Sequence, residues 1–332
     1  MELNLGSINM NNETESPGIE DVIILGAGPA GLSAALYAAR AELSPLVLTG
    51  MELGGQASLT HIIENYPGFP EGLGGPELGQ LFQTQAERFG ARFEFDMVTE
   101  VDLSSRPYIV KTYSKTYQAK TLILSTGASP NHLQKPGEKE LTGKGVSYCG
   151  TCDGWFFKDK KVVVVGGGDS ALEEGLFLTR FATSVTVIHR RDELRASKIL
   201  QNRAFSNPKM SFIWDTVVEE IQGDKAVQSV LLHNVKTGEK TVFETDGVFI
   251  FIGHTPNTKI YEGQLEMTGA GYIVTDHLMQ TSLPGVFAAG EVMDQHFKQV
   301  VTSAGMGAAA AIQATRFLEA MEEPVEVIDQ SI

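Results

Sequence analysis

One pattern occurs twice in this chain and limits what it can fold into: a short apolar β-type run, a glycine-rich turn, then a helical stretch. Asp21 to Leu25 leads into Gly26-Ala27-Gly28-Pro29-Ala30-Gly31 and an Ala-rich stretch to about Arg40, and Pro45 to Thr49 completes a βαβ unit. The same syntax returns 140 positions later as Lys161 to Val165, Gly166-Gly167-Gly168-Asp169-Ser170-Ala171, a helix to about Arg180 and a strand from Ser184 to His189. The repetition predicts an α/β fold of two Rossmann-like dinucleotide-binding domains, and 332 residues are about right for two.

No third unit follows. Gly247 to Gly253, Gly285 to Gly290 and an Ala-rich helix from about Gln299 to Ala320 must therefore complete an earlier domain. Because Thr121 to Ala128 precedes the second unit and Gly247 follows it, the second domain is expected as an insertion in the first. The expected boundaries are 21–119 and 247–332 for the first domain and 120–246 for the second, with two chain crossings able to act as a hinge. Residues 1–20, rich in Asn, Glu and Ser without apolar periodicity, are expected to be a flexible tail.

Charge narrows the partners. A formal charge of −15 argues against a surface that tracks phosphate backbones or anionic lipid, so neither nucleic acid nor membrane is expected. No apolar run reaches the roughly 18 residues of a spanning helix, and the first residues lack both a basic start and an apolar signal core, which predicts a cytoplasmic protein.

In the first turn, Gly26, Gly28 and Gly31 fit the geometry in which backbone N–H groups approach a pyrophosphate at a helix N-terminus. Such a turn alone can merely pack helix on strand. The acidic residue that grips a ribose hydroxyl about 20 positions on is absent, since the strand ends at Thr49-Gly50, so this unit does not read as an NAD site. In the second unit the equivalent strand end is His189-Arg190-Arg191, with Arg195 four residues further. Three arginines can be only a solvated basic face, but their place 18 residues after Ala171 points to a 2′-phosphate, hence NADP.

The chain has two cysteines, too few for a secreted disulfide framework or a thiolate zinc site, and no metal is expected. They stand together in Cys149-Gly150-Thr151-Cys152-Asp153, a spacing that lets the sulfurs switch between dithiol and disulfide. Half a zinc site or two buried structural thiols are the plainer alternatives, yet the remaining zinc ligands are missing. If Cys152 starts a helical turn, N–H dipoles favour a thiolate and Asp153 can exchange the proton.

Six motifs in order resemble the low-molecular-weight thioredoxin reductases from Asp21 to about Leu318: GAGPAGL at Gly26–Leu32, TGMELGGQ at Thr49–Gln56, ENYPGFP at Glu64–Pro70, CGTCDG at Cys149–Gly154, GGGDSA at Gly166–Ala171 and HRRDELRASK at His189–Lys198. The resemblance implies FAD in the first domain and NADPH in the second. It also implies a homodimer whose NADPH domain rotates, and a thioredoxin-like protein as substrate. Carried over by position, it implies a flavin site of Gly26, Gly28, Pro29, Ala30, Thr49, Gly54, Gln56, Asn65, Gly127, Gly290, Glu291 and Gln299. It assigns NADPH to Gly168, Asp169, Ser170, His189, Arg190, Arg191 and Arg195, and catalysis to Cys149, Cys152 and Asp153. Cys152 is implied to face the flavin and Cys149 to attack the partner's disulfide. The chain departs from the family's usual pattern at Gly150 (usually Ala), at Glu291 after Gly290 (usually Asp) and at Lys298 before Gln299 (commonly Arg). Glu291 can still accept a hydrogen bond from a ribityl hydroxyl if backbone or flavin shifts to fit the extra methylene.

Relatives of the same shape differ in telling ways. Ferredoxin-NADP reductases lack the cysteine pair, and ferredoxin-driven enzymes or dithiol oxidases lack an intact HRR signature. A hydroperoxide-reductase flavoprotein would carry an extra N-terminal module. The remaining alternatives are a disulfide oxidoreductase using another donor or acceptor and a flavin redox sensor without turnover.

Overall fold

The computed structural model describes residues 18–60 and 62–322. In chain order its main elements are β1 (Ile19–Leu25), α1 (Pro29–Arg40), β2 (Leu46–Leu48), α2 (Gly75–Glu87), β3 (Arg92–Glu94), β4 (Val98–Asp102), β5 (Tyr108–Thr112), β6 (Thr116–Leu124) and β7 (Ala128–Pro130). There follow β8 (Val146–Ser147), α3 (Gly150–Asp153), β9 (Lys161–Gly166), α4 (Asp169–Leu178), β10 (Ser184–Ile188), α5 (Lys198–Phe205) and β11 (Met210–Ile213). The last are β12 (Thr216–Gly223), β13 (Val227–Asn234), β14 (Lys240–Glu244), β15 (Gly247–Phe251), β16 (His254–Pro256), β17 (Val286–Ala288) and α6 (Val300–Glu322).

The first sheet runs β3-β2-β1-β6-β5-β4, with β17 also pairing β6. β1 lies parallel between β2 and β6, Ile23 opposite Leu46 and Leu122. A strand flanked on both sides and covered on both faces must be apolar along its length, and Val22 to Leu25 are wholly buried. On one face α1 meets α6 through small residues: Ala34, Ala35 and Ala38 share a core with Ala310, Ala311 and Ala314. The approach is so close that a Cβ at Gly307 would lie 2.0 Å from the Ala30 carbonyl oxygen.

The second sheet runs β11-β10-β9-β15-β8. Its β9 is the valine run, parallel to β10 and β15. One face carries α4 and α5 through Leu172, Leu178, Leu200 and Ala204. The other is covered by an antiparallel sheet of β12, β13 and β14, through Val218, Ile221, Val230 and Leu232.

Strand pairing moves both expected internal boundaries. β6 runs in the first sheet although residues from 120 were expected in the second unit, and β15 runs in the second although residues from 247 were expected in the first. Each placement has a local cause. Leu122, Ile123 and Leu124 fill the core between β1 and β17, while Gly247 sits under Phe157 of the second unit, where a Cβ would be 2.2 Å from the ring. The chain crosses between sheets through β7 and β16, which pair antiparallel, Thr255 opposite Ser129. At the amino end Ile19 and Glu20 belong to β1, so the expected tail stops short of them; residues 1–17 lie outside the described residues. No described helix is long and apolar enough to cross a membrane.

Candidate active site

The first turn is compressed on one side and open on the other. Gly26, at φ 102°, would place a Cβ 2.4 Å from the Ser125 carbonyl oxygen, and Gly31 would place one 1.9 Å from that of Gly26. Gly28, the extended N-cap of α1, has nothing within 4 Å of its missing Cβ, and Pro29 opens the helix at a position where its lost N–H costs no hydrogen bond. The open side faces a cavity of about 1570 Å³. Eleven of the twelve residues implied for the flavin line it: Gly26, Gly28, Pro29, Ala30, Thr49, Gln56, Asn65, Gly127, Gly290, Glu291 and Gln299. Gly54 stands behind the lining and donates its N–H to Ala27 at 2.8 Å. Gly290, at φ 77°, comes so near α1 that a Cβ would be 2.9 Å from that of Ala30.

The loop before α6 is shaped by Asp294, which sequence reading passed over. Its buried carboxylate accepts N–H groups from His296, Phe297 and Lys298 at 2.8–3.0 Å and so presents Lys298 and Gln299 to the cavity. Gln299 then bridges two regions, accepting from Asn65 at 3.1 Å and donating to the Thr151 hydroxyl at 3.2 Å. Lys298 lies 3.2 Å from Nδ1 of His254, whose pKa burial and that cation push down to about 4. Burial also raises the Glu291 carboxyl pKa, against the attraction of Lys298.

Cys149 and Cys152 are joined as a disulfide on the wall of the same cavity. Cys149 is the N-cap of α3, its sulfur accepting the Cys152 N–H at 3.2 Å, so Cys152 lies inside the turn rather than at its start. Asp153 is half-buried, and desolvation raises its pKa although the Ser147 hydroxyl donates to it at 2.5 Å. Ser147 also accepts the Cys149 N–H at 3.1 Å, tying acid and redox pair into one network. Nothing in the Ser147 sequence context separates it from any strand serine.

The second turn repeats the plan with fewer covers. Gly168 is the extended N-cap of α4, again with nothing within 4 Å of its missing Cβ, and Asp169 and Ser170 line the cavity. Asp169 also accepts the Ser197 N–H at 2.7 Å. His189 is buried against Gly167, where a Cβ would be 2.3 Å from its ring, and its Nε2 has no hydrogen-bond partner. Burial first, then the charges of Arg195 and Arg191, lower its pKa. The Gly167 carbonyl oxygen accepts N–H groups from Arg195 and Ala196 at 2.7 and 3.1 Å, pinning the arginine loop to the turn. The side chains of Arg190, Arg191 and Arg195 are exposed and make no ion pair among the described residues. Among those residues no group of three or more His, Cys, Asp or Glu is placed to hold a metal ion.

Comparison with known proteins places the chain in a family. Residues 20–307 match the family model described as pyridine nucleotide-disulphide oxidoreductase. The thioredoxin reductase of Peptoclostridium litorale is 49% identical over 307 residues, covering 91% of this chain and 98% of that protein. The crystal structure of thioredoxin reductase from Streptococcus pyogenes superposes with a TM-score of 0.88 at 46% identity, covering 92% of this chain and all of that one. That of the Lactococcus lactis thioredoxin reductase, in what is termed its FR conformation, gives 0.63 at 44% identity, covering 91% and 99%. The chain therefore belongs to the pyridine nucleotide-disulphide oxidoreductase family, in its low-molecular-weight thioredoxin reductase branch.

Proposed function

We propose that the protein is a thioredoxin-disulfide reductase that passes electrons from NADPH through FAD and the Cys149/Cys152 disulfide to a thioredoxin-like protein. The observation that carries this reading is that one cavity is lined by an open glycine turn, a disulfide and Asp169 and Ser170, which open the helix after the second glycine turn. FAD, when bound, supplies the two-electron chemistry that connects a nicotinamide to a disulfide.

Each part of the chain has a task. The N–H groups of Gly28, Ala30 and the Gly290 turn would hold the flavin's pyrophosphate and ribityl chain, with Thr49, Gln56, Asn65, Gly127, Glu291 and Gln299 forming the rest of its site and Gly54 supporting them. Gly168, Asp169 and Ser170 receive the NADPH pyrophosphate, and His189, Arg190, Arg191 and Arg195 its 2′-phosphate. Opening the disulfide leaves two sulfurs that need protons. Asp153, desolvated beside Ser147, holds a proton to higher pH than an exposed carboxyl and delivers it to a sulfur. Cys152 faces the flavin and Cys149 attacks the partner's disulfide.

The second unit is inserted between the strands of the first and swings about the β7–β16 crossing. Two relatives of near-equal identity but TM-scores of 0.88 and 0.63 support two arrangements of these units. The pair lines the same cavity as the first glycine turn, and rotation would expose it to the partner. Homodimer formation through the first unit is supported by Tyr37, Leu81 and Ile312, exposed apolar side chains on α1, α2 and α6. A cytoplasmic setting would keep the protein beside NADPH and a reduced thioredoxin pool.

The test is anaerobic titration of the yellow holoenzyme with NADPH, which should bleach the flavin and then leave two new thiols; a flavin that NADPH does not bleach rejects the reading. Cys149→Ser and Cys152→Ser should each lose turnover by a factor on the order of 10³ or more. Cys149→Ser should keep a long-wavelength absorbance from the Cys152 thiolate beside the flavin, and Cys152→Ser should trap the partner as a mixed disulfide. Near-native turnover in either variant excludes the pair as the electron path.

A further inference from the structure

Glu174 has no part in the electron path just described, yet it touches the redox helix. Projecting from α4, its Oε2 accepts the Thr151 N–H at 3.0 Å, and the Gly150 N–H faces the same carboxylate. A Cβ at Gly150 would lie 2.4 Å from that oxygen, so the absent side chain is the space that the carboxylate occupies. Thr151 in turn places its hydroxyl 3.4 Å from the Cys149 sulfur.

We propose that Glu174 is a positioning residue that fixes the Cys149–Cys152 turn and, by placing a negative charge one residue from Cys149, makes the pair a stronger reductant. The inference rests on the reading that this pair carries the electrons. Two local influences act on the Cys149 sulfur in opposite directions. The Cys152 N–H donates to it and favours a thiolate. Glu174 occupies the neighbouring N–H groups and opposes a second anion. Reduction of the disulfide takes up two electrons and two protons to give two thiols, and ionisation of one of them draws the equilibrium towards the dithiol. A charge that disfavours the thiolate therefore favours the disulfide, and the electrons leave more readily.

The other groups facing the turn are few. Asp153 lies on α3 itself, and Glu173 stands beside Glu174 on α4. Lys298 approaches from the loop before α6 and attracts the Glu174 carboxylate. His254, next to Lys298 on β16 and held at about 4, is uncharged near neutral pH. Desolvation, with a smaller push from Glu173, raises the Glu174 pKa above the usual carboxyl value, and the two N–H contacts and Lys298 offset only part of that rise.

The test uses flavin-replete Cys152→Ser protein, in which Cys149 is the one remaining thiol, and follows its alkylation by iodoacetamide against pH. Adding Glu174→Gln should move the curve to lower pH and raise the rate at neutral pH about three- to tenfold. With both cysteines present, the equilibrium with dithiothreitol, which gives up two electrons and two protons as it closes to its own disulfide, should shift towards the protein dithiol by the same factor, or ~15–30 mV. Glu174→Asp, which keeps the charge, should stay near the native pH profile. Gly150→Ala, which displaces the carboxylate without removing it, should move the curve the same way by a smaller factor. An unchanged curve in Glu174→Gln, or one moved to higher pH, overturns the proposal. The alkylation needs neither NADPH nor partner, so failure of the reductase reading appears only in the native enzyme's turnover.

Discussion

The two glycine-rich turns share a backbone plan and differ in what surrounds them. Around the first, α6 presses on α1 through Gly307, the Gly290 turn touches Ala30, and Gly55 approaches the Gly28 backbone, with 3.0 Å between a Cβ there and the Gly28 Cα. Around the second, α3 and α5 pack on α4, but among the described residues no long helix presses on it as α6 does on α1; its arginines stand in solvent and its His189 Nε2 is unpartnered. The third glycine differs as well, Gly31 in the first turn and Ala171 in the second. A turn enclosed by three other segments suits a cofactor that stays, whereas one with free cations at its rim suits a ligand that arrives and leaves with each turnover.

The contrast can be broken most easily at the open turn. Arg190→Ala with Arg191→Ala should raise the KM for NADPH roughly 10- to 100-fold, because each lost charge-assisted contact is worth about 1.5–3 kcal/mol before desolvation. The KM for NADH, which has no 2′-phosphate, should change little, and flavin content not at all. Steady-state kinetics with both donors decides it: equal losses would mean that the arginines hold the loop and not the phosphate.

At the enclosed turn the effect is on stability. Gly31→Ala drives a methyl group into the Gly26 carbonyl, and overpacking of that kind costs about 2–3 kcal/mol. Urea unfolding and the ratio of flavin to protein absorbance should fall together. The mirror change, Ala171→Gly, removes a methyl group from a turn that already holds one and should cost about 1 kcal/mol or less, with flavin retained. Similar costs at both turns would dissolve the distinction.

A smaller effect sharpens how the two units meet. His254, beside Lys298 at the crossing, has its pKa depressed from 6.5 to about 4. The unfolded chain therefore binds a proton in that window that the folded chain refuses. Stability from this group is complete above 6.5 and is lost as pH falls towards 4, with a slope of up to about one proton. Unfolding free energies measured through the window should flatten in His254→Asn, and an unaltered slope would place His254 in solvent, away from the junction.

What the sequence made legible follows from how local each signal is. Both turns and the helices they open are written in contiguous residues and appear where spacing put them; the CxxC helix appears too, but capped by Cys149 and not begun at Cys152. The sheet assignment of β6 and β15 was exchanged because TLIL and GVFIF are the same kind of apolar run ending near a glycine. Which sheet each joins depends on distant partners such as Val286 and Phe157, which no window contains. Glu174, Ser147 and Asp294 escaped for a related reason: each acts at least partly through a contact to a backbone N–H group, and an N–H carries no mark in a sequence. Gly150 was visible as a departure from the family, but its cause, the carboxylate beside it, was not.

The β7–β16 pairing also bears on how the chain folds. The 123 residues from Asn131 to Gly253 leave and return through two strands that lie side by side. Until they meet, the first sheet lacks β17, since β6 and β17 are separated by that entire excursion. Closing a loop of this length costs roughly 4 kcal/mol of chain entropy on the logarithmic scaling, more than so short a ladder returns. The excursion is itself a contiguous unit with its own valine core, so its early collapse shortens the effective loop and brings the two strands into register. The β7–β16 ribbon is thereby the seam at which synthesis order is reconciled with sheet order, and the amino-terminal strands must wait for the carboxy-terminal helix to be covered.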